Sequence, residues 1–194
     1  MMRLRVLLPS VLLLAGSALA APNAAKAVWK PDPHLIPKLA PETTIDGYRI
    51  RPPGGYVHKE IKRGQPLHAW EAPARKDGTH ASLTLMVMHV PDKDPRTFPP
   101  DAVLDRFVGA VEQSRTNWTR IPTQHGEVNG LAFSRTRWVG TDKVTHRKME
   151  GFQYVAVDGR TLVILGSQDV DGQDTSLKLA EASVLTLRKT VAKK

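Results

Sequence analysis

Cysteine is absent from the 194-residue chain, and that one absence removes disulfide staples, thiolate metal sites, a cysteine nucleophile and a lipid-bearing cysteine. Aromatic residues are scarce at 6%. No apolar run reaches the roughly 20 residues of a membrane-spanning helix. The sequence has neither the H-E-x-x-H of a zinc protease nor the G-x-S-x-G of a nucleophile elbow. Gly166-Ser167 lacks the second glycine of the elbow, and Ser82, Ser114, Ser134 and Ser183 have no base marked beside them. The histidines are His34, His58, His68, His80, His89, His125 and His146, and none is spaced like the paired ligands of a zinc site. His125-Gly126-Glu127 would put two side chains on one strand face, at best a fragment of a metal site. Asp169-Val170-Asp171-Gly172-Gln173-Asp174 resembles a calcium loop, but its glycine comes fourth and Ala180 stands where the bidentate glutamate belongs. No metal, no cofactor and no catalytic residue is expected.

What is present begins with a secretory pattern. Residues 1–20 carry Arg3 and Arg5, then the apolar stretch with Val11, Leu12, Leu13 and Leu14, then Ala18-Leu19-Ala20 before a cut at Ala21. The chain is therefore expected to be exported to a periplasm or the extracellular space, with no transmembrane segment once the signal is removed. The formal net charge of +9 is concentrated at the ends: Arg3 and Arg5 in the leader, and Arg188, Lys189, Lys193 and Lys194 with no acid among them. Residues 46–187 keep only a small positive excess, so a basic nucleic-acid face is not expected.

Residues 21–45 hold Pro22, Pro31, Pro33, Pro37 and Pro41 and read as a Pro/Ala-rich tether, which Trp29 either latches to the domain or presents to a partner. From Asp46 short strands are expected at Tyr48–Ile50, 56–61, 67–72 and 83–90; the last is apolar on both faces. Pro100 and Asp101 open a helix whose stripe is Leu104, Phe107, Val108 and Val111. A four-stranded meander follows over about 119–167. Its type I′ turns are expected at Asn129-Gly130 and Asp158-Gly159, with a longer loop at 139–145. A closing helix, capped by Asp174, Thr175 or Ser176, buries Leu177, Ala180, Val184 and Leu187. The expected fold class is α+β, an antiparallel β-sheet flanked by helices as an α/β/α sandwich. Its core is drawn from Leu85, Val87, Leu104, Phe107, Phe133, Val155, Ile164 and Val184. The expected organisation is signal 1–20, tether 21–45, domain 46–188 and basic tail 189–194. Asn117-Trp118-Thr119 fits a glycosylation acceptor and is assigned no role.

Asp46-Gly47-Tyr48-Arg49-Ile50, then Pro53-Gly54-Gly55-Tyr56, with Gly130, Phe133 and the Asp158-Gly159 hairpin in this order of elements, resembles the PsbP-like domain family. That fold is shared by the extrinsic PsbP subunit of photosystem II and a small Ran-binding import factor. Tyr56 stands where many relatives have tryptophan. The resemblance implies a non-catalytic binding or assembly role, here with a protein or envelope partner. The alternative is a periplasmic hydrolase or small-molecule-binding domain whose site converges only in three dimensions. If the loop 140–145 joins its strands in simple register, Arg137 lies opposite Lys148 and Arg135 opposite Glu150. Like charges opposite one another cost a sheet stability. Arg135, Arg137 and Lys148, with Arg147 at the strand edge, are therefore candidates for docking an acidic partner surface, unless Glu150 and Glu127 merely screen them.

Overall fold

The computed structural model describes residues 27–90 and 99–190. The expected signal at 1–20, the start of the tether and the last four residues lie outside the described residues. The strands are β1 (Ala27–Val28), β2 (Thr43–Ile45), β3 (Tyr48–Ile50), β4 (Val57–Arg63), β5 (Gln65–Glu71), β6 (Ser82–His89), β7 (Arg115–Arg120), β8 (Gln124–Val128), β9 (Leu131–Asp142), β10 (Lys148–Asp158), β11 (Thr161–Val170) and β12 (Arg188–Lys189). The helices are α1 (Pro100–Gln113) and α2 (Asp174–Val184), with a 3-10 turn at Ile36–Lys38. Nine strands form one sheet in the order β1-β8-β9-β10-β11-β6-β5-β4, and β7 continues the edge of β8 along β9. A small second sheet runs β12-β3-β2. Every pair is antiparallel except β1 with β8. The class is α+β.

The two apolar clusters draw on alternate residues of the same strands, as the period-2 pleat requires. Phe152, Tyr154, Val163 and Leu165 join Leu177, Ala180 and Val184 of α2, with Tyr48 and Ile50 of the small sheet. Val155, Leu162 and Ile164 join Val103, Leu104 and Val108 of α1. Seven of the eight expected core residues are buried; Phe107 is only partly covered.

Several local expectations need correction. The segment expected as a tether is tied down from Ala27 onward: β1 pairs with β8, β2 with β3, and Leu39 and Ile45 are buried. The segment is not extended throughout, since Pro37 lies in the 3-10 turn Ile36–Lys38, and its apolar side chains reach the core. The helix α2 begins after Gln173, and no side chain caps it. Leu187 is buried beyond the helix end, and Arg188 and Lys189 form a strand against Tyr48 and Arg49. At Asn129-Gly130 both residues have positive φ (48° and 85°), as type I′ demands. In the next hairpin Asp158 pairs with Thr161, so Gly159 and Arg160 are the turn centre and only Gly159 is positive, at 58°. That is the type II′ pattern.

The correction that matters most is the β9–β10 register. Asp142 Oδ1 accepts the Val144 N–H at 3.1 Å and the Thr145 N–H at 2.8 Å, which winds the loop tightly and lets β9 run to Asp142. Arg137 therefore lies opposite Phe152 and Arg135 opposite Tyr154; Lys148 faces Thr141 and Glu150 faces Val139. Arg147 sits in the turn, its carbonyl accepting the Asp142 N–H. The expected like-charge cross-strand pair does not form.

Candidate partner-binding face

Arg135, Arg137, Lys148 and Glu150 still share one face, because the true register preserves the parity of the expected one. Each of the cations carries an acid. Glu181 of α2 accepts from Arg137, from Arg135 Nη1 at 3.0 Å and from the Tyr154 hydroxyl at 2.7 Å. Arg135 also donates to Gln124 Oε1 at 2.9 Å and to Tyr154 Oη at 2.7 Å. Lys148 Nζ lies 2.7 Å from Asp171, and Arg147 Nη1 lies 2.6 Å from Asp77. The acids in direct ion pairs are thus Glu181, Asp171 and Asp77, while Glu150 is close enough to interact electrostatically with Lys148 and Arg137. Asp77 has its pKa lowered to about 2, by Thr79 hydrogen bonds first and Arg147 after them. Helical spacing places Glu181 one turn beyond Leu177, on the buried stripe. What the sequence did not show was which strand that stripe would meet.

Between these ion pairs the face is hollow. A cavity of about 230 Å³ is lined by Val139, Phe152, Leu177, Ile121 and Thr119, with Arg137 on its rim and Glu150 in its wall. Gly151 borders it with backbone alone; its side-chain direction is toward the opposite face, where a Cβ would meet the Ser167 carbonyl oxygen at 2.4 Å and the Trp138 ring at 2.5 Å. Glu150 Oε1 is buried and has no hydrogen-bond partner among the described residues. Burial, and then the carboxylates of Asp171 and Asp174, raise the Glu150 pKa above the ordinary range. An apolar hollow with one unsatisfied acceptor matches an apolar group that carries an N–H or O–H donor.

On the other face, near the start of α1, a second concavity of about 350 Å³ is bordered by Pro99, Pro100, Asp101, His125 and Ser134. Ser134 donates to Asp101 Oδ1 at 2.5 Å, and His125 Nε2 lies 3.0 Å from the same oxygen. The Ser134 hydrogen bond, and after it His125, hold the Asp101 pKa below the usual range. The carboxylate stands between serine and histidine. The imidazole therefore does not touch the hydroxyl, which is the contact an activated serine needs. Farther along that face a polar trough of about 180 Å³ is lined by Ser82, Thr84, Gln153, Gln168, Val111 and Trp138.

His58 and His68 stack with ring centroids 5.4 Å apart, and His58 Nε2 is 3.2 Å from His68 Nδ1. Among the described residues no three His, Asp or Glu side chains are grouped to hold a metal ion. Asp169, read in sequence as part of a polar loop, is buried on β11 and bound by Arg75 through 2.7 and 2.5 Å contacts. Among the described residues no helix is long and apolar enough to cross a membrane.

No protein-family model and no curated protein matches this chain. Solved structures do. The solution structure of cyanobacterial PsbP from Synechocystis sp. PCC 6803 superposes with a TM-score of 0.59 at 13% identity, covering 78% of this chain and 93% of that one. The Saccharomyces cerevisiae Ran-binding protein Mog1p gives 0.54 at 11% identity, covering 77% and 95%. A Bacteroides thetaiotaomicron protein gives 0.52 at 9% identity; 80% of this chain matches half of it. These likenesses establish a PsbP-like fold.

Proposed function

We propose that this PsbP-like fold is an exported, non-catalytic α/β/α sandwich that binds a protein or envelope partner. In this reading residues 1–20 are a cleaved signal, and the folded unit reaches back through the 21–45 segment to Trp29. The single observation that carries the proposal is the hollow at Val139, Phe152 and Leu177. It has the make-up of an interface hot spot, an apolar socket with a charged rim. Its occupant is an apolar side chain of the partner with a donor at its tip, tyrosine or tryptophan, reaching Glu150. Arg137 and Lys148, whose side chains are 51% and 64% exposed, exchange their intramolecular acids for acids of the partner. Arg135 holds Glu181 in place beneath Arg137, and Arg147 extends the basic rim at the turn. The likeness in fold to a Ran-binding protein supports the reading of a protein partner.

The test is capture from the source's own envelope fraction, with the mature chain as bait. Arg137→Gln with Lys148→Gln should weaken capture and flatten its dependence on salt, because exposed charges act over about 8–10 Å at moderate ionic strength. Capture that is unchanged at low salt would remove these residues from the interface. A second reading, hydrolase or small-molecule binding, is favoured only by the Asp101–His125–Ser134 cluster beside its 350 Å³ concavity. Under that reading Asp101→Asn, and not the Arg137/Lys148 pair, would abolish ligand turnover or binding.

A further inference from the structure

Trp29 occupies a socket that the rest of the fold builds for it. Its ring lies against Gly126, where a Cβ would come within 2.3 Å of the indole. The Arg135 guanidinium covers the ring at 4.1 Å from its centroid, and Tyr154 meets it edge-on at 5.7 Å. The receptor side is rigid. Gln124, Tyr154 and Glu181 all fix Arg135, and Tyr154 is fully buried.

The occupant is held far less firmly. β1 is two residues long, both of them exposed, with Val28 at 62%. It lies parallel to β8, and beyond it the Trp29 N–H donates to the Glu127 carbonyl at 2.9 Å. Short edge segments with few buried contacts open at a small fraction of the global unfolding free energy. The chain beyond Trp29 next meets the fold at the 3-10 turn Ile36–Lys38, which touches α2, and at buried Leu39, so the segment can swing away while the core strands stay paired, at the cost of the packing of Trp29 on the core.

We propose that β1 and Trp29 are a displaceable internal ligand, and that the socket of Gly126, Arg135 and Tyr154 receives an extended partner segment bearing a tryptophan-type side chain. The partner strand would add to β8 as β1 does, with main-chain hydrogen bonds for affinity and the aromatic socket for specificity. The inference shares with the preceding section the premise of a protein partner, but it names a separate site. The two are linked by Glu181, which both Arg135 and Arg137 contact.

The experiment uses the mature full chain and a fluorescent peptide copying residues 26–32, the chain's own occupant. Trp29→Ala empties the socket and should bind the peptide at least tenfold more tightly than wild type, whose own segment competes. The same peptide with its tryptophan replaced by alanine should not bind. Adding Gly126→Ala to Trp29→Ala puts a methyl group where the indole sits and should abolish binding without unfolding the chain. Equal peptide affinity in wild type and Trp29→Ala, or binding that survives Gly126→Ala, would overturn the proposal. Hydrogen exchange on wild type tests it without any variant. The Trp29 amide should exchange at least a hundredfold faster than the β9–β10 amides, and equal protection would mean the segment does not leave. Concentration-dependent dimerisation that Trp29→Ala abolishes would give the socket to a second copy, against the proposal. No envelope partner enters these assays, so their failure leaves the Arg137/Lys148 capture result standing, and the reverse holds too.

Discussion

Asp169 and Glu150 are direct cross-strand neighbours on β11 and β10, and they have met opposite fates. Asp169 is completely buried, and burial alone would raise its pKa. Hydrogen bonds from Arg75, from Ser176 at 2.5 Å and from the Val170 N–H at 2.8 Å more than reverse this, so its pKa lies below the usual range. Glu150 has a smaller set: the Gly172 N–H reaches the carboxylate, but Oε1 is buried with no partner among the described residues, and burial leaves its pKa raised. Two carboxylates a strand apart are thus buried in two ways, one saturated with donors and one with an oxygen left unpaired. The saturated one fastens the 72–81 loop to β11 and the first turn of α2. The other marks where the fold leaves an interaction unmade.

The largest effect should come from breaking the saturated side. Asp169→Asn leaves Arg75 without its charge partner and should cost about 3 kcal/mol in urea unfolding. The wild-type contribution is fully present above the ordinary aspartate range near pH 3.9 and is lost as pH falls through the lowered native pKa. The variant should lack that acid-side loss. A change below about 1 kcal/mol would mean the pair is incidental.

Trp29→Ala comes next, with an expected cost of about 2 kcal/mol, less than a full core truncation because the ring is only partly covered. Trp29 thus contrasts with Glu150 by being an anchor already made. An undetectable change in melting would show that the latch contributes nothing to the fold.

Glu150→Gln should act with the opposite sign to Asp169→Asn. A raised native carboxyl pKa means the folded state binds the proton more readily, so wild-type stability falls as pH rises through that pKa. The amide should therefore gain about 1 kcal/mol at pH 8, and the gain should shrink toward the ordinary carboxylate range. Destabilisation at pH 8 would show that Glu150 is satisfied after all.

The smallest effect is expected for Arg137→Gln with Lys148→Gln, within about 0.5 kcal/mol of wild type, since both ion pairs are largely exposed. A larger loss would make this pair a structural fastener like Arg75.

Much of this contrast could be read in the chain. Alternating Leu83, Leu85 and Val87 announced a central strand, and the Leu177-Ala180-Val184 stripe announced its covering helix; both are buried as that spacing requires. The shared face of Arg135 and Arg137 followed from strand parity alone, and Lys148 joins them because the register differs from the expected one by an even number of residues. The pairing partners did not, because one side-chain carboxylate, Asp142, sets the loop length and thereby shifts the register. Arg75 is 94 residues from Asp169, and Glu181 is 46 from Arg135; such separations leave no local pattern. Strands β7 and β12 were missed because Arg115–Arg120 and Arg188–Lys189 are polar edge segments, paired by backbone more than by apolar alternation.

The most direct test of the central claim, that Glu150 is kept unsatisfied for a partner, measures stability and capture on the same Glu150→Gln protein at pH 8. A donor bound to a neutral amide forfeits about 1 kcal/mol relative to a carboxylate, so the variant should melt higher yet capture its envelope partner about fivefold more weakly. A variant that melts higher and captures as well as wild type would contradict the claim and leave Glu150 as internal strain with no role at the surface.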